Sequence, residues 1–482
     1  MRPRRLVVLA LAAVTIAGCG GDPRAAQPAD SSTLRATWAD PDGDGTLQRG
    51  PGEPLRDRTE LASAARPRGT LATLALVTDT HVRDEESPAR VPFLDRLGPP
   101  FTSTFRPQEA LSAQVLDAAV RAIDAARPEA VFDLGDLVDN AQANELALAA
   151  AVLRGGVVRP DSGAPGYQGP QEASDPDPAF YRPDVDPPRH PGLLDAAQRP
   201  FHAIGLRAPW YAIPGNHDLL VAGELAATPR TRAVAVGDEA VTSLDSDVPV
   251  PRSEAALTPA FVDSVLADGL PGTTRHVAPD RGRRELAPAE AIAGLERASG
   301  HGGARARMDQ IVDLGTRVRA IVLDIARRDR GAHGLVTAGQ VAWLERALRA
   351  AGDRRILVLS HQPLETALGG ERALALLDRD PRVVAELHGD SHRNRITARR
   401  TRAGGVWTIG TSSLADFPQQ VRMLRVRATA GGGVVLETWM LDTARSPLAY
   451  TARELAYLDA QGGRPDGFAG DRADRNARLY HR

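Results

Sequence analysis

Five times along this 482-residue chain a short apolar run stops at a cluster of aspartate, asparagine or histidine. Leu71–Val77 leads into Thr78-Asp79-Thr80-His81, Ala130–Leu134 into Gly135-Asp136, and Arg207–Ile213 into Gly215-Asn216-His217-Asp218. Arg355–Ser360 ends at His361, and Arg382–Leu387 at His388-Gly389-Asp390-Ser391-His392. Runs of this length and composition read as strands. Amphipathic spacing over Ala110–Ala126 (Leu111, Val115, Ala118, Ala119, Ile123) reads as a helix between the first two. Strands alternating with helices form α/β sheets, which gather ligand-binding side chains at the carboxyl ends of their strands. The polar clusters are therefore expected to meet at one edge of the fold.

Arg319–Ile325, Gly404–Gly410, Gln420–Ala428 and Gly432–Leu441 complete the expected strands. Two Pro-, Gly-, Asp- and Arg-rich stretches interrupt the pattern, near 155–191 and 222–303, and read as long insertions or lids within one domain over 36–460. Glu454–Leu458 reads as a terminal helix and 461–482 as a polar tail. The formal net charge of -2 and an aromatic content of 4% leave neither a basic field nor a base-stacking surface, so nucleic acid is not expected as the main partner.

The residue types in the clusters point to metal chemistry. Imidazole nitrogen combined with carboxylate or amide oxygen suits Mn, Fe or Zn and makes a poor all-oxygen calcium cage. Of 11 histidines, His81, His217, His361, His388 and His392 fall in the strand-end clusters, a placement chance does not readily give. The other six read as ordinary surface or core residues, and Thr411-Ser412-Ser413 as a turn.

In this order and spacing, Asp79-x-His81, Gly135-Asp136-x-x-Asp139, Gly215-Asn216-His217-Asp218, His361 and Gly389-Asp390-x-His392 resemble the motifs of the calcineurin-like metallophosphoesterases, in an exported bacterial form with long insertions. The resemblance runs from about residue 72 to 413 and implies a four-layer α/β/β/α sandwich bearing two divalent metal ions. It implies that Asp79, His81 and His392 hold one ion, that Asn216 and His361 hold the other, and that Asp136 bridges them. A metal-bound hydroxide would attack a phosphate ester, with His217 contacting the phosphate or protonating the leaving oxygen and Asp218 orienting the His217 ring. Asp139 and Asn140 would stand behind the ligands.

One position departs from the family pattern. The last motif is usually Gly-His-x-His, and here Asp390 replaces the first histidine. A carboxylate can still coordinate, but it shifts preference toward harder ions such as Mn²⁺ or weakens the second site. His388 is an alternative donor that strand alternation points away. Purple acid phosphatases carry a tyrosine where this chain has Asp139, and serine/threonine protein phosphatases an arginine where it has Asn140.

The N-terminus carries arginines among its first five residues, an apolar run over Leu6–Ala17 and then Gly18-Cys19. This reads as a lipoprotein signal peptide over 1–18, with lipidated Cys19 and a tether over 19–35, which would place the protein outside the cytoplasm on a membrane anchor. Cys19 is the only cysteine, so no intrachain disulfide can form. Asp40-Pro41-Asp42-Gly43-Asp44-Gly45 starts like a calcium loop, but Pro51 stands where the closing glutamate belongs, which favours a plain turn over calcium-dependent adhesion. The expected function is hydrolysis of a phosphate ester, mono- or diester. The alternative is a degenerate metal-binding surface lipoprotein that binds a ligand without turnover.

Overall fold

The computed structural model describes residues 31–97, 104–251, 253–301, 306–443, 446–459, 461–463 and 467–482. The expected signal peptide and Cys19 lie outside these residues.

Two sheets face each other. The first holds seven strands in the spatial order Arg56–Arg58, Ala477–His481, Val434–Asp442, Gln420–Thr429, Pro67–Val77, Ala130–Asp133, Trp210–Ala212. The second holds six, in the order Gln310–Leu314, Val318–Val322, Arg355–Leu359, Val383–His388, Val406–Gly410, Arg395–Arg399. The strands that carry the polar clusters run parallel to one another: Pro67–Val77 with Ala130–Asp133 and Trp210–Ala212 in one sheet, Arg355–Leu359 with Val383–His388 in the other. Their carboxyl ends consequently open on the same side of each sheet.

Side-chain alternation builds the layers. Leu74 and Leu76 point between the sheets with Phe132, Val322, Leu357 and Leu359. Ala75, Val77 and Val131 point to the opposite face, against Leu116, Val120 and Ile123 of the helix Ser112–Ala126. In the second sheet Ile356 and Val358 pack outward against Leu344 and Leu348 of the helix Ala338–Arg349. Strands covered on both faces read as nearly continuous apolar runs, as these do. The result is the four-layer α/β/β/α sandwich that the resemblance implies.

Three expectations need correction. The supposed tail ends in the strand Ala477–His481, which pairs antiparallel with Val434–Asp442 and buries Leu479 between the sheets. Arg472, Arg475, Arg478 and Arg482 are exposed or only partly buried, so the local composition looks polar although the strand backbone is locked into the ladder. The tether stops sooner than residue 35, because Ser32 and Thr33 are buried and Thr33 N–H donates to the Met440 carbonyl at 3.0 Å. The second insertion is also only partly a lid. Its helix Pro288–Ser299 packs Ile292 and Leu295 into the same outer core as Ser112–Ala126. In the Asp40–Gly45 segment the Asp40 carboxylate accepts from the backbone N–H of Gly43 at 2.8 Å and Gly45 at 2.9 Å.

Candidate metal centre

The strand-end clusters meet in backbone that L-residues rarely adopt. Asp79, His81, Asp136, Asp390 and His392 have φ of 50°, 47°, 53°, 62° and 56°. Left-handed backbone at such residues costs about 1–3 kcal/mol each and persists only where surrounding contacts over-determine it. Those contacts are present. Asp79 N–H donates to the Gly135 carbonyl at 2.8 Å, His81 N–H to Asp136 at 3.0 Å, and Gly389 N–H to His361 at 3.0 Å. Two motif glycines are needed for this closeness. Gly135 has φ of 110°, and a Cβ there would lie 2.6 Å from His361 Nδ1; a Cβ at Gly389 would collide with Thr78 Oγ1.

Within this frame the donor atoms converge. Donor atoms of Asp79, His81 and His392 lie within 4.8 Å of one another, as do those of Asp79, Asp136 and His361. Asp136 Oδ2 is 3.2 Å from His361 Nε2 and 3.9 Å from His81 Nε2, so it stands between the two sets. Asn216 Oδ1 is 3.2 Å from His361 Nε2. Asp390 Oδ1 approaches the same nitrogen at 3.7 Å, while His388 turns aside with its Nδ1 3.0 Å from the Gly389 carbonyl.

Hydrogen bonds behind the rings fix which nitrogen faces inward. His361 Nδ1 donates to the Leu134 carbonyl at 2.9 Å, and His81 Nδ1 to the Asp139 carboxylate at 2.9 Å. His392 Nδ1 is paired with Asp416. Each pairing leaves Nε2 as the inward ligand atom, the usual way an outer carboxylate or carbonyl orients a metal-binding histidine. Nε2 of His81 and of His392 then face each other at 3.3 Å, and the buried Asp79 Oδ1 lies 3.4 Å from His392 Nε2. Two ring nitrogens turned toward each other beside a buried carboxylate oxygen form a donor set that a cation would satisfy. The donor set therefore fits two divalent ions.

The electrostatics agree. Against burial, His361 and His217 hold the Asp136 carboxyl well below the usual range. Burial and the neighbouring His217 push His81 down to about 4, so its ring is neutral at pH 7. Against burial, Asp79 and Asp416 push His392 up to about 10. This records how much negative charge surrounds the ring; a bound cation would take the place of that proton.

His217 lines the cavity with its ring edge-on to His81 at a centroid distance of 4.5 Å. The expected role of Asp218 is corrected. His217 Nδ1 donates to the Asp139 carbonyl at 2.7 Å, whereas Asp218 accepts from the backbone N–H of Gly215 at 2.8 Å, Asp136 at 2.9 Å and Val138 at 3.1 Å. Asp218 is thus a clamp joining two strand-end loops. Burial and the adjacent Asp136 push it up to about 7, against those N–H donors. Asn140 Nδ2 donates to Asp139 Oδ2 at 3.1 Å and to Glu145 at 3.0 Å, which fixes the carboxylate behind His81.

Several supporting residues escape motif reading. Asp416 holds His392 and is itself held by Arg106 Nε at 2.6 Å. Arg83 reaches Asp139 at 3.1 Å and Glu109 at 3.1 Å. Gln362 Nε2 donates to Asn216 Oδ1 at 3.1 Å, turning the amide nitrogen of Asn216 toward the Gly223 carbonyl at 3.2 Å. Only Gln362 had a sequence signal, its place directly after His361. Thr411, Ser412 and Ser413 are buried in the loop that follows the strand Val406–Gly410, where Thr411 Oγ1 accepts from Arg422 at 3.0 Å.

No protein-family model matches the chain, and no curated protein matches it. Among solved structures it is similar to a dimetal phosphatase from Danio rerio, at 12% identity and a TM-score of 0.39 over 78% of this chain and 98% of that one. It is also similar to the purple acid phosphatase PPD1 of yellow lupin (Lupinus luteus) seeds, at 12% identity and a TM-score of 0.34 over 83% and 55%. A third likeness is to PhoD, at 10% identity and a TM-score of 0.34 over 86% and 80%. These are remote likenesses of fold; the chemistry is read from the side chains above.

Proposed function

We propose that the chain is a dinuclear metallophosphoesterase that hydrolyses phosphate esters. The observation that carries this reading is the convergence of Asp79, His81, Asp136, Asn216, His361 and His392, three of them histidines whose Nδ1 is engaged behind the ring. Asp79, His81 and His392 would hold one ion, Asn216 and His361 the other, with Asp136 between them and Asp390 adding a hard oxygen on the His361 side. Two such ions supply Lewis acidity toward the phosphoryl oxygens and lower the pKa of coordinated water.

The protein's own groups divide the remaining work. The Asp139 carbonyl can only accept, so His217 Nδ1 carries a proton in both charge states. His217 Nε2 is therefore the ring atom left to serve the leaving oxygen. The Asp139 carboxylate, tied to Arg83, keeps His81 in one tautomer. Asp218 holds the Asp136 and Asn216 loops at a fixed separation.

Metal-stripped protein reloaded with Mn²⁺, Fe²⁺ or Zn²⁺ should bind two ions per chain and hydrolyse an aryl phosphate or a bis-aryl phosphate. Both activities should be lost in Asp136→Asn and His217→Ala. A chain that binds no metal would sink the reading. Asp390 favours a second reading, binding without turnover: a large gain of activity in Asp390→His would mark the native second site as weak, and a loss would make the carboxylate a working ligand. Export and lipid anchoring at Cys19 belong to the same proposal and rest on the N-terminal sequence. Cys19→Ser should release the protein from the membrane fraction.

A further inference from the structure

The metal-binding residues form only one end of a larger cavity. Its volume is about 530 Å³, within the ~300–1,000 Å³ range of small-molecule sites, and it runs without a break from His81, His217, Asp390 and His392 into the second insertion. There the lining changes character. Phe261, Val262, Val265 and Leu266 occupy one face of the helix Pro259–Val265 and its C-cap, and Phe93 and Val241, which pack in one cluster, line the same space. The helix has no fully buried residue. Its apolar face is turned to the cavity and not to a packed core, while Asp263 on another face accepts from Thr228 Oγ1 at 2.5 Å. The two arginines that line the cavity are already engaged, Arg90 with Glu109 at 2.7 Å and Arg106 with Asp416 at 2.6 Å.

A cavity with a metal-binding, carboxylate-rich floor and an oily wall matches a ligand with the same polarity. Resting on the phosphoesterase reading, we infer that the substrate is an amphipathic phosphoester whose aliphatic chain lies against the wall formed by Phe261, Val262, Val265 and Leu266 while its phosphate sits on the floor. The occupant follows from continuity: the apolar wall and the metal-binding side chains line one space, so a chain bound there is placed by its own head group. Binding also covers apolar surface that the fold leaves open, and each buried methylene is worth about three- to fourfold in affinity.

The test uses the full chain loaded with Mn²⁺ and titrated calorimetrically with methyl-, butyl- and octylphosphonate, each below its aggregation concentration. These probes are not hydrolysed, so the readout is independent of turnover. Kd is expected to fall about threefold or more per methylene until the cavity is filled. The double variant Phe261→Asp/Val265→Asp should flatten that dependence, and Phe261→Ala should weaken it. Equal Kd values across the series, with phosphonate binding intact, would overturn the inference and leave the hydrolase reading standing. A chain-length dependence unchanged in both variants would also overturn it, since the chain would then lie elsewhere. Failure to bind any phosphonate with Mn²⁺ present, together with no hydrolysis, would remove the phosphoesterase reading and this inference with it.

Discussion

The floor of the cavity is held by backbone, and its wall by little more than short elements leaning on one another. On the floor, five non-glycine residues sit in left-handed conformations, with inter-loop N–H donors and an Asp218 clamp pinning them. The wall over Pro229–Leu270 includes two short α-helices and one strand of a hairpin, and the helix Pro259–Val265 buries none of its residues completely. Donor atoms must meet to within tenths of an ångström for metal chemistry, so the fold spends strain there. A surface that only has to be apolar can be built loosely. The two regions should accordingly respond very differently to substitution.

The largest effect is expected beneath the floor. Phe132 lies fully buried in the strand that leads to Asp136, and Phe132→Ala should cost about 3–5 kcal/mol of stability by denaturant unfolding. Asp136→Asn should keep the fold but lower phosphoesterase activity on the order of 10²–10³-fold, with fewer ions bound per chain by elemental analysis. A smaller loss, about 10–100-fold in Mn²⁺ affinity, is expected for Asp416→Asn, which removes the carboxylate behind His392. Full metal affinity in that variant would show that the His392 orientation does not depend on Asp416.

Glu285 tests the boundary between floor and wall. Its Oε2 accepts from Thr231 Oγ1 at 2.6 Å, its Oε1 has no hydrogen-bond partner among the described residues, and burial pushes its carboxyl up to about 7 from 4.5. Between those values the folded protein holds a proton that the unfolded chain releases. Its stabilising contribution is therefore present at low pH and lost as pH rises through about 4.5 to 7. Relative to the native chain, Glu285→Gln should be about 1–3 kcal/mol more stable at pH 8 than at pH 5. The smallest effect belongs to the wall: Phe261→Ser should change stability by less than about 0.5 kcal/mol. A loss comparable to that of Phe132→Ala would abolish the distinction between the two regions.

Much of the floor was legible because its signals are local. Each ligand-bearing cluster directly follows an apolar strand, and the parallel strand order needs only right-handed crossovers through helices to bring the clusters to one side. The glycines at 135 and 389 are likewise visible, since the loops must pass close to His361 and Thr78. Asp416 was not legible, because its partner His392 stands in a different motif and meets it only once the intervening strand has folded. The strand Ala477–His481 was missed for a related reason: its place is created by the open edge of Val434–Asp442, not by its own periodicity. Asp218 was assigned to the wrong neighbour, because adjacency to His217 in sequence says nothing about which donors its carboxylate meets after the chain turns.

The sequence by itself determined the layered α/β arrangement and the set of side chains offered to a metal, because strand periodicity and residue chemistry act over a few residues. Tertiary structure decided the rest: which ring nitrogen faces inward, which carboxylate stands behind it, and where an apolar wall adjoins the floor. Those depend on segments that are distant in sequence coming together, as Asp416 does with Arg106 and as Phe93 and Phe261 do in lining one cavity. Hydrogen-bond direction and cavity shape are properties of that assembly, and no local pattern encodes them.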